Sequence, residues 1–481
     1  MTLLNELKIF DNNLSSRFEK IAENTLEYWD LRATITSGTM IEFTNNKSKE
    51  MASYQKESCG IRTFSLGGWG FLTLEDLSKA ALINSFEKAV KLAKLSEAQT
   101  DNKYHIKQFD PINDTFELKV KKKVENTDIS EKIELVKDYE RTINEYDPKI
   151  KNTNSIYYDA IHNKIFLNSF GSKIIQIEPI CRSFCMAYAQ KNGLIQRSRN
   201  SIGGLGGFEL FDTNKAQELG RKTAKEAVEL LDAKSPKGGQ FTIIMDPELT
   251  GTFIHEAFGH AVEADYILSK ESMLEGRRGE QVALEEVSIK DDPRLGKGKE
   301  LGLPYELFGS YKYDDEGIPS QEIFIIEKGI LKNFLHNLES ASRMNEEPNG
   351  HGRAASVSIH PQVRMGITTL SPGDWSLEEM IEDIKEGVFC EAFQYGYTDP
   401  ASGNFQFKCK LSYKIEKGER TKMMRDVSLT GMTLEVLNKI TALGREINYS
   451  DGMCGKGGQG VRVCDGGPYV RIKNITVGGL N

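Results

Sequence analysis

The chain has 481 residues, with 62 Lys and Arg against 70 Asp and Glu and a formal net charge of -8, a size that implies two or three domains of roughly 100–200 residues each. That balance, with no long basic run and no basic, aromatic-interleaved motif, excludes nucleic acid as a principal partner. No run of about 18 apolar residues is present to span a bilayer as a helix, and seven scattered cysteines do not resemble a small disulfide scaffold.

The opening MTLLNELKIFDNN has neither a cationic nor an apolar leader segment, so a cytoplasmic protein is expected. Residues 14–22 read as a short amphipathic helix, and residues 28–36 and 40–43 as strands. Residues 61–74 are an extended run broken by Gly67, Gly68 and Gly70, followed by a helix over 76–95 with Leu77, Ala80, Ala81, Phe86, Val90 and Ala93 at helical spacing. IGGLGGFELF at 202–211 likewise leads into a helix over 215–231, which ends EAVELL where the first has EKAVKLA. This suggests an internal duplication of a strand, glycine-turn and helix unit. Neither glycine cluster is followed by the Lys-Ser or Lys-Thr of a phosphate-binding P-loop, so both read as turns or bulges. Between them, 96–131 is a polar junction, 129–146 a charged helix, and 155–188 antiparallel strands around a Phe170-Gly171 turn. Cys181 and Cys185, spaced C-x-x-x-C, lack the second pair a metal clip needs.

AKSPKGG at 233–239 marks a boundary. The expected fold is α+β, with an N-terminal α/β domain over 1–235 and a β-rich domain over 236–481. QFTIIM at 240–245 is a buried strand, and Asp246-Pro247 supply an N-cap and an N1 proline for the helix that follows. That helix contains TFIHEAFGHAVEAD at 252–265, anchored in the core by Leu249, Phe253, Ile254 and Phe258.

His255, Glu256 and His260 spell H-E-x-x-x-H, one residue longer than the H-E-x-x-H of zinc peptidases. At about 100° per residue, histidines at i and i+5 stand about 140° apart on a regular helix and cannot easily grip one ion. A π-bulge near Phe258 and Gly259 removes the conflict, because it inserts one residue into a turn and such bulges occur often at functional sites.

Downstream, GRRGEQVALEEVSIKDDP at 276–293 reads as a strand bounded by turns, 323–335 as a hairpin, and AASVSIHPQVRMGITTL at 354–370 as a strand pair. A helix near 376–384 precedes the turn TDPASG and the β-run NFQFKCKLSYKI at 404–415, closed at Gly418. A catalytic zinc usually has three protein ligands, and two sources compete for the third. One is a local carboxylate, Glu263 or Asp265; the other is Cys454 in the glycine-rich SDGMCGKGGQGVRVC. Residues 455–460 form a G-x-G-x-x-G, but the flanking segments read as strands and not as the strand-then-helix of a dinucleotide site.

Several motifs in order resemble the TldD/PmbA metallopeptidases, specifically the TldD-like branch that keeps its metal motif. They are GGWGFLTLEDLS, DPELTG, HEAFGHAVEAD, LEGRRGEQVA, DDEGIPSQ, GHGR, YTDPASGNFQF, GMCGKGGQG and the closing ITVGGLN. The resemblance implies that His255, His260 and Cys454 bind Zn2+ and that Glu256 is the catalytic acid/base, leaving Glu263 to orient a histidine and Cys464 as a structural thiol. It further implies a metallopeptidase of small or unfolded peptides, in which zinc lowers the pKa of its water toward about 7 and Glu256 moves the proton to the departing amine. A thiolate ligand is expected to temper the electrophilicity of the metal. His336, His351, Arg353 and Tyr397 lie in segments within reach of such a site. The resemblance implies a dimer, either with a metal-free paralogue or with a second copy, enclosing the site. An extended peptide is expected to pair with a strand edge, with 404–415 and 354–369 as candidates. Two rival readings remain: a non-catalytic assembly subunit with a structural metal, and a metal-assisted amidase on a non-peptide substrate. Glu256 speaks against the first, because a structural Cys-His site needs no base between its ligands.

Overall fold

The structure, a computed structural model, describes residues 10–478. Residues 1–9 of the opening segment and 479–481 of the closing ITVGGLN lie outside the described residues. The N-terminal half is built on one sheet. Its strands are β1 (Tyr28–Thr44), β2 (Lys47–Ser65), β3 (Gly68–Leu74), β4 (Asn113–Glu117), β5 (Ile150–Asn168), β6 (Lys173–Lys191) and β7 (Leu194–Leu205). The path runs β7-β6-β5-β1-β2-β3, with β4 parallel to the start of β6 and the two-residue strand Glu306–Leu307 on the end of β7. Residues 28–36 and 40–43 thus belong to one long strand. Helices α1 (Asn12–Ala22) and α2 (Lys79–Gln99) flank β1-β2-β3 in the chain, and α3 (Ile129–Asn144) and α4 (Leu219–Glu229) flank β5-β6-β7. The order helix, three strands, helix therefore occurs twice, with β1 and β5 antiparallel neighbours at the join. The first set of helices packs through Phe18 and Phe86 against Trp29 of β1; the second buries Val136 and Ile143 of α3 and Ala224 and Ala227 of α4 in one core with Tyr157 of β5, Phe208 and Phe211.

The C-terminal half contributes β8 (Gly239–Met245), β9 (Glu386–Asp399), β10 (Asn404–Glu416), β11 (Ser428–Met432), β12 (Asn448–Lys456), β13 (Gln459–Gly467) and β14 (Val470–Gly478). The pairings β9-β8-β14-β11-β10-β9 close on themselves into a five-stranded ring. β12 and β13 form a hairpin at the end of a second sheet, in which β13 runs parallel to Ile367–Leu370 and β12 is the edge strand. Gly457 and Gly458 make the hairpin turn with φ of 55° and 75°, the left-handed pair that a two-residue turn requires. The G-x-G-x-x-G is therefore a turn.

Three expectations fail here. Of residues 276–293 only Ile289–Asp291 is a strand, because Gly276 and Gly279 with φ of 74° and 87° turn the chain first. Residues 354–370 are not a strand pair: Gly352–Arg353 pairs with Gln362–Val363, and Ile367–Leu370 joins β13. The intervening loop gives its Val357 and Ile359 carbonyls to the Arg32 guanidinium instead of to a sheet. Finally, 404–415 offers no open edge for a peptide, since β10 pairs with β9 along its length and with β11 and Glu419–Met424 on the other side. Alternation reveals a strand but not its neighbours.

Helix α5 (Pro247–Ile254) lies between the ring and the second sheet. Asp246 caps it, its side chain accepting from Leu249 N at 2.9 Å and from Ala392 N of β9 at 2.9 Å. Phe253 packs on Phe405 and Phe407 of β10. On the opposite side, a Cβ at Gly251 would lie 2.8 Å from the backbone of Asp465 and Gly466, so the absent side chain lets the helix seat directly on β13. A π-helical turn over His255–Gly259 continues α5. Gly259 has ordinary helical angles (φ -57°, ψ -44°); its role is space, since a Cβ there would lie 2.0 Å from Met365 Sδ.

The halves are joined by a fully buried ionic triad. Arg62 of β2 bonds the Asp30 carboxylate of β1 and, at 2.7 Å, Glu316 Oε1 of the C-terminal half. Arg62→Met would strand two carboxylates without a counter-charge and is expected to destabilise the protein by about 3–5 kcal/mol, read as a lower urea midpoint. Gly259→Ala is expected to cost about 1–3 kcal/mol by overpacking. Combined with Met365→Ala it should cost at least about 1 kcal/mol less than the sum of the two single changes.

Candidate metal centre

The π turn swings His255 and His260 toward the same side. Their rings lie 5.2 Å apart and perpendicular, and Cys454 of β12 meets them there. The ligating atoms of His255, His260 and Cys454 all fall within 4.8 Å of one another, with Cys454 Sγ 3.4 Å from His260 Nε2. Glu256 Oε2 lies 3.9 Å from His260 Nε2, and its side chain is one-third exposed to the cavity. The four residues singled out in the sequence are thus brought together.

Each histidine is backed by a carboxylate. His260 Nδ1 is 2.8 Å from Glu263 Oε2, and His255 Nδ1 is 2.8 Å from Asp465 Oδ1, near but out of line for a good hydrogen bond. Glu263 is fully buried behind the His260 ring and also lies 3.1 Å from Lys456 Nζ, so it orients that ring and does not face the group of three. Lys456 in turn bonds both Asp265 oxygens at 2.8 and 2.7 Å and the Val363 carbonyl. At the other end of β12, Asp451 Oδ2 accepts from Arg182 Nε and Ser201 Oγ, each at 2.9 Å. β12 is therefore held on both sides of Cys454, once by the N-terminal sheet and once by the histidine segment.

The electrostatics follow from this packing. Burial pushes the Cys454 thiol up, but the adjacent His255 and His260 outweigh it and bring the group down to about 5. Burial disfavours charged imidazoles, yet Glu263 and Cys454 hold His260 up to about 10, and Asp465 with Cys454 holds His255 well above its ordinary value. Glu263 is desolvated too, and Lys456 and His260 overcome that to hold it down to about 2. A thiolate and two buried carboxylates thus surround two imidazoles.

Other expected participants are employed elsewhere. His351 is buried against Asp291 at 3.1 Å and Asn349, His336 faces Ser340 and Glu346, and Arg353 caps the Met365 and Arg462 carbonyls. Tyr397 is 67% exposed on the β9-β10 hairpin. None of the four lines the cavity at the histidines. Cys464 is buried, which pushes its thiol up to about 12. Sequence reasoning missed Asp465, Lys456 and the Arg182–Asp451 pair. Lys456 and Asp451 stand two residues after and three before Cys454, and Asp465 directly follows Cys464, but nothing in the local pattern marks any of them as partners of the site.

Comparison with known proteins identifies the family. Residues 29–93 match PmbA/TldA metallopeptidase domain 1, 122–231 the central domain, and 238–479 the C-terminal domain. A metalloprotease of Methanothermobacter thermautotrophicus is 38% identical over 95% of this chain and 96% of its own length. A zinc metalloprotease TldD homolog of Saccharolobus solfataricus is 28% identical over 96% and 98%. The solved structure of TldE from Thermococcus kodakarensis superposes with a TM-score of 0.76 at 17% identity, covering 97% of this chain and all of that one; at such identity the likeness speaks for the fold alone. The chain belongs to the TldD/PmbA family of metallopeptidases.

Proposed function

We propose that this protein is a zinc-dependent peptidase acting on small or unfolded peptides, with His255, His260 and Cys454 as ligands and Glu256 as general base. The observation that carries the reading is the convergence of two imidazoles and a thiolate beside a cavity-facing glutamate. The donor set fits zinc: soft thiolate plus imidazole, three protein ligands with room for a fourth. The Nδ1 atom of each histidine lies against a carboxylate, which leaves Nε2 for a metal. Charge fits as well. Cys454, Glu263 and Asp465 carry negative charge among largely buried groups, and Lys456 is shared between Glu263 and Asp265. The group therefore has an excess of negative charge, which a divalent ion on neutral imidazoles would offset.

When bound, zinc supplies Lewis acidity, which polarises a carbonyl and makes water acidic. The chain supplies the rest. Glu256 Oε takes a proton from water at the cavity floor and returns it to the departing amine nitrogen. Glu263 and Asp465 keep the imidazoles in the tautomer and orientation that a ligand requires. β12 is an edge strand carrying Cys454, so an extended peptide that pairs with its open backbone passes beside the site irrespective of side-chain sequence. We infer a cytoplasmic enzyme that works as a dimer, with a metal-free paralogue or a second copy limiting access.

Glu256→Gln is expected to keep its zinc while kcat falls by about 10²–10⁴, whereas Cys454→Ala should emerge from purification with little zinc. Metal analysis alongside cleavage of a fluorogenic peptide checks both. Undiminished turnover in the first variant, or full zinc in the second, removes the reading. Asp465→Asn is expected to weaken zinc binding or activity by about 10- to 100-fold, measured by competition with a chromogenic chelator.

A further inference from the structure

The cavity of about 470 Å3 above the histidines has a wall made by the N-terminal domain, and the charges on that wall are unevenly answered. Of its basic residues, Arg182 is paired with Asp451, Lys410 is 2.9 Å from Asn200 Oδ1 and 3.5 Å from Glu226, and Lys222 lies 3.8 Å from Glu226. Arg197 and Arg199 of β7 have no carboxylate within 4 Å among the described residues. On the acidic side, Asp451 and Asp465 are engaged by Arg182 and His255 and Glu256 lies 3.9 Å from His260, leaving Glu218 and Glu248, which line the cavity with Lys215 and Lys410.

Arg199 is held for use. Its guanidinium lies over the ring of Phe184 on the adjacent strand, 4.9 Å from the ring centroid, a cation–π contact that steadies the fork while its N–H groups stay available to a bidentate acceptor. The β6-β7 register sets the spacing. Ser201, which touches Asp451, pairs with Phe184; Arg199 pairs with Met186 and Arg197 with Tyr188. Residues 197, 199 and 201 share one face, so the two arginines lie about 7 and 13 Å beyond Ser201 along the strand. An extended peptide has the same repeat, and carboxylates on alternate residues would meet both.

We propose that Arg199, assisted by Arg197, forms a subsite for a substrate carboxylate, so that peptides with an acidic side chain or free C-terminus at the matching position are preferred. This rests on the peptidase reading and adds a substrate class to it. A lone exposed arginine is ordinarily only solvated; this pair is distinguished by the aromatic platform, the missing counter-charge and the cavity shared with Glu256 and Cys454.

The test uses one neutral, C-terminally amidated fluorogenic peptide in which Gln is replaced by Glu at each position in turn, and the same peptide with a free C-terminus. A charge-assisted pair corresponds to a preference of about tenfold or more in kcat/KM. Wild type should prefer Glu at positions of one parity, or the free acid, and which series responds identifies the source of the carboxylate. Arg199→Met should bring the Glu-to-Gln ratio close to one, and Arg199→Glu should favour Lys at the same position, with zinc content and thermal midpoint monitored to show that both variants are folded. Absence of preference at every position, or a ratio retained in Arg199→Met, overturns the subsite. Fluorescence anisotropy with labelled peptides and Glu256→Gln protein, with and without Arg199→Met, reads the same discrimination without turnover. If wild type cleaves nothing while this binding still discriminates, the peptidase reading falls and the subsite stands.

Discussion

Two histidines five positions apart, His255 and His260, face one point, and a regular helix cannot bring them there. The π turn over His255–Gly259 achieves this at the expense of regular helical hydrogen bonding, so the surroundings have to hold it in place. They do so by packing from three sides. Asp246 ties the start of α5 to β9, the bare backbone at Gly251 seats the helix on β13, and Met365 fills the space that Gly259 leaves open. Because protein interiors are close-packed and yield little, a helix clamped between two sheets in this way has one rotation available. That rotation aims both rings at β12.

The strand on the other side is placed with equal care. Cys454 sits in an edge strand, the kind of element that frays most readily, yet Asp451 three residues before it is bound to Arg182 and Ser201, and Lys456 two residues after it is bound to Asp265 and Glu263. Those anchors come from different domains. The N-terminal sheet therefore helps to set the position of Cys454 although none of the three clustered residues belongs to it, and the His255–His260–Cys454 group depends on how the two halves dock. That docking is fixed in part by the Arg62–Asp30–Glu316 triad. Its buried charges are costly to desolvate and are weak evidence for added stability; what they favour is one orientation of the halves, because any other leaves a buried carboxylate unpaired.

Much of this was legible in the sequence, in proportion to how local its cause is. Asp246-Pro247 announces a helix start, and the H-E-x-x-x-H spacing demands a distorted turn before any coordinates are known. Cys454 lies 194 residues beyond His260, and residue chemistry alone left it in contest with Glu263; family resemblance favoured the cysteine. Asp465 and Lys456 were not legible, since their positions follow from the register of the β12-β13 hairpin and its seating against α5. The expected peptide edge at 404–415 failed for a related reason. Closure of a ring consumes edges, and closure is a property of the pairing, not of any one strand's alternation.

The cavity makes the same point about function. Its floor, with Glu256, His255 and Cys454, belongs to the C-terminal half, whereas the arginine-bearing wall belongs to β6 and β7 of the N-terminal half. Floor chemistry depends on a few atoms held close together, so it tolerates little change in α5, β12 or β13. A wall residue such as Arg199 touches neither the histidines nor the thiolate; its surroundings are Phe184 and open solvent. It can be exchanged without repacking a core, and the path along β7 can be charged, neutral or apolar while the floor is kept. On the peptidase reading proposed above, division of the site between two domains separates the groups that break a bond from the groups that choose which chain is presented, and it gives the second task to the N-terminal sheet.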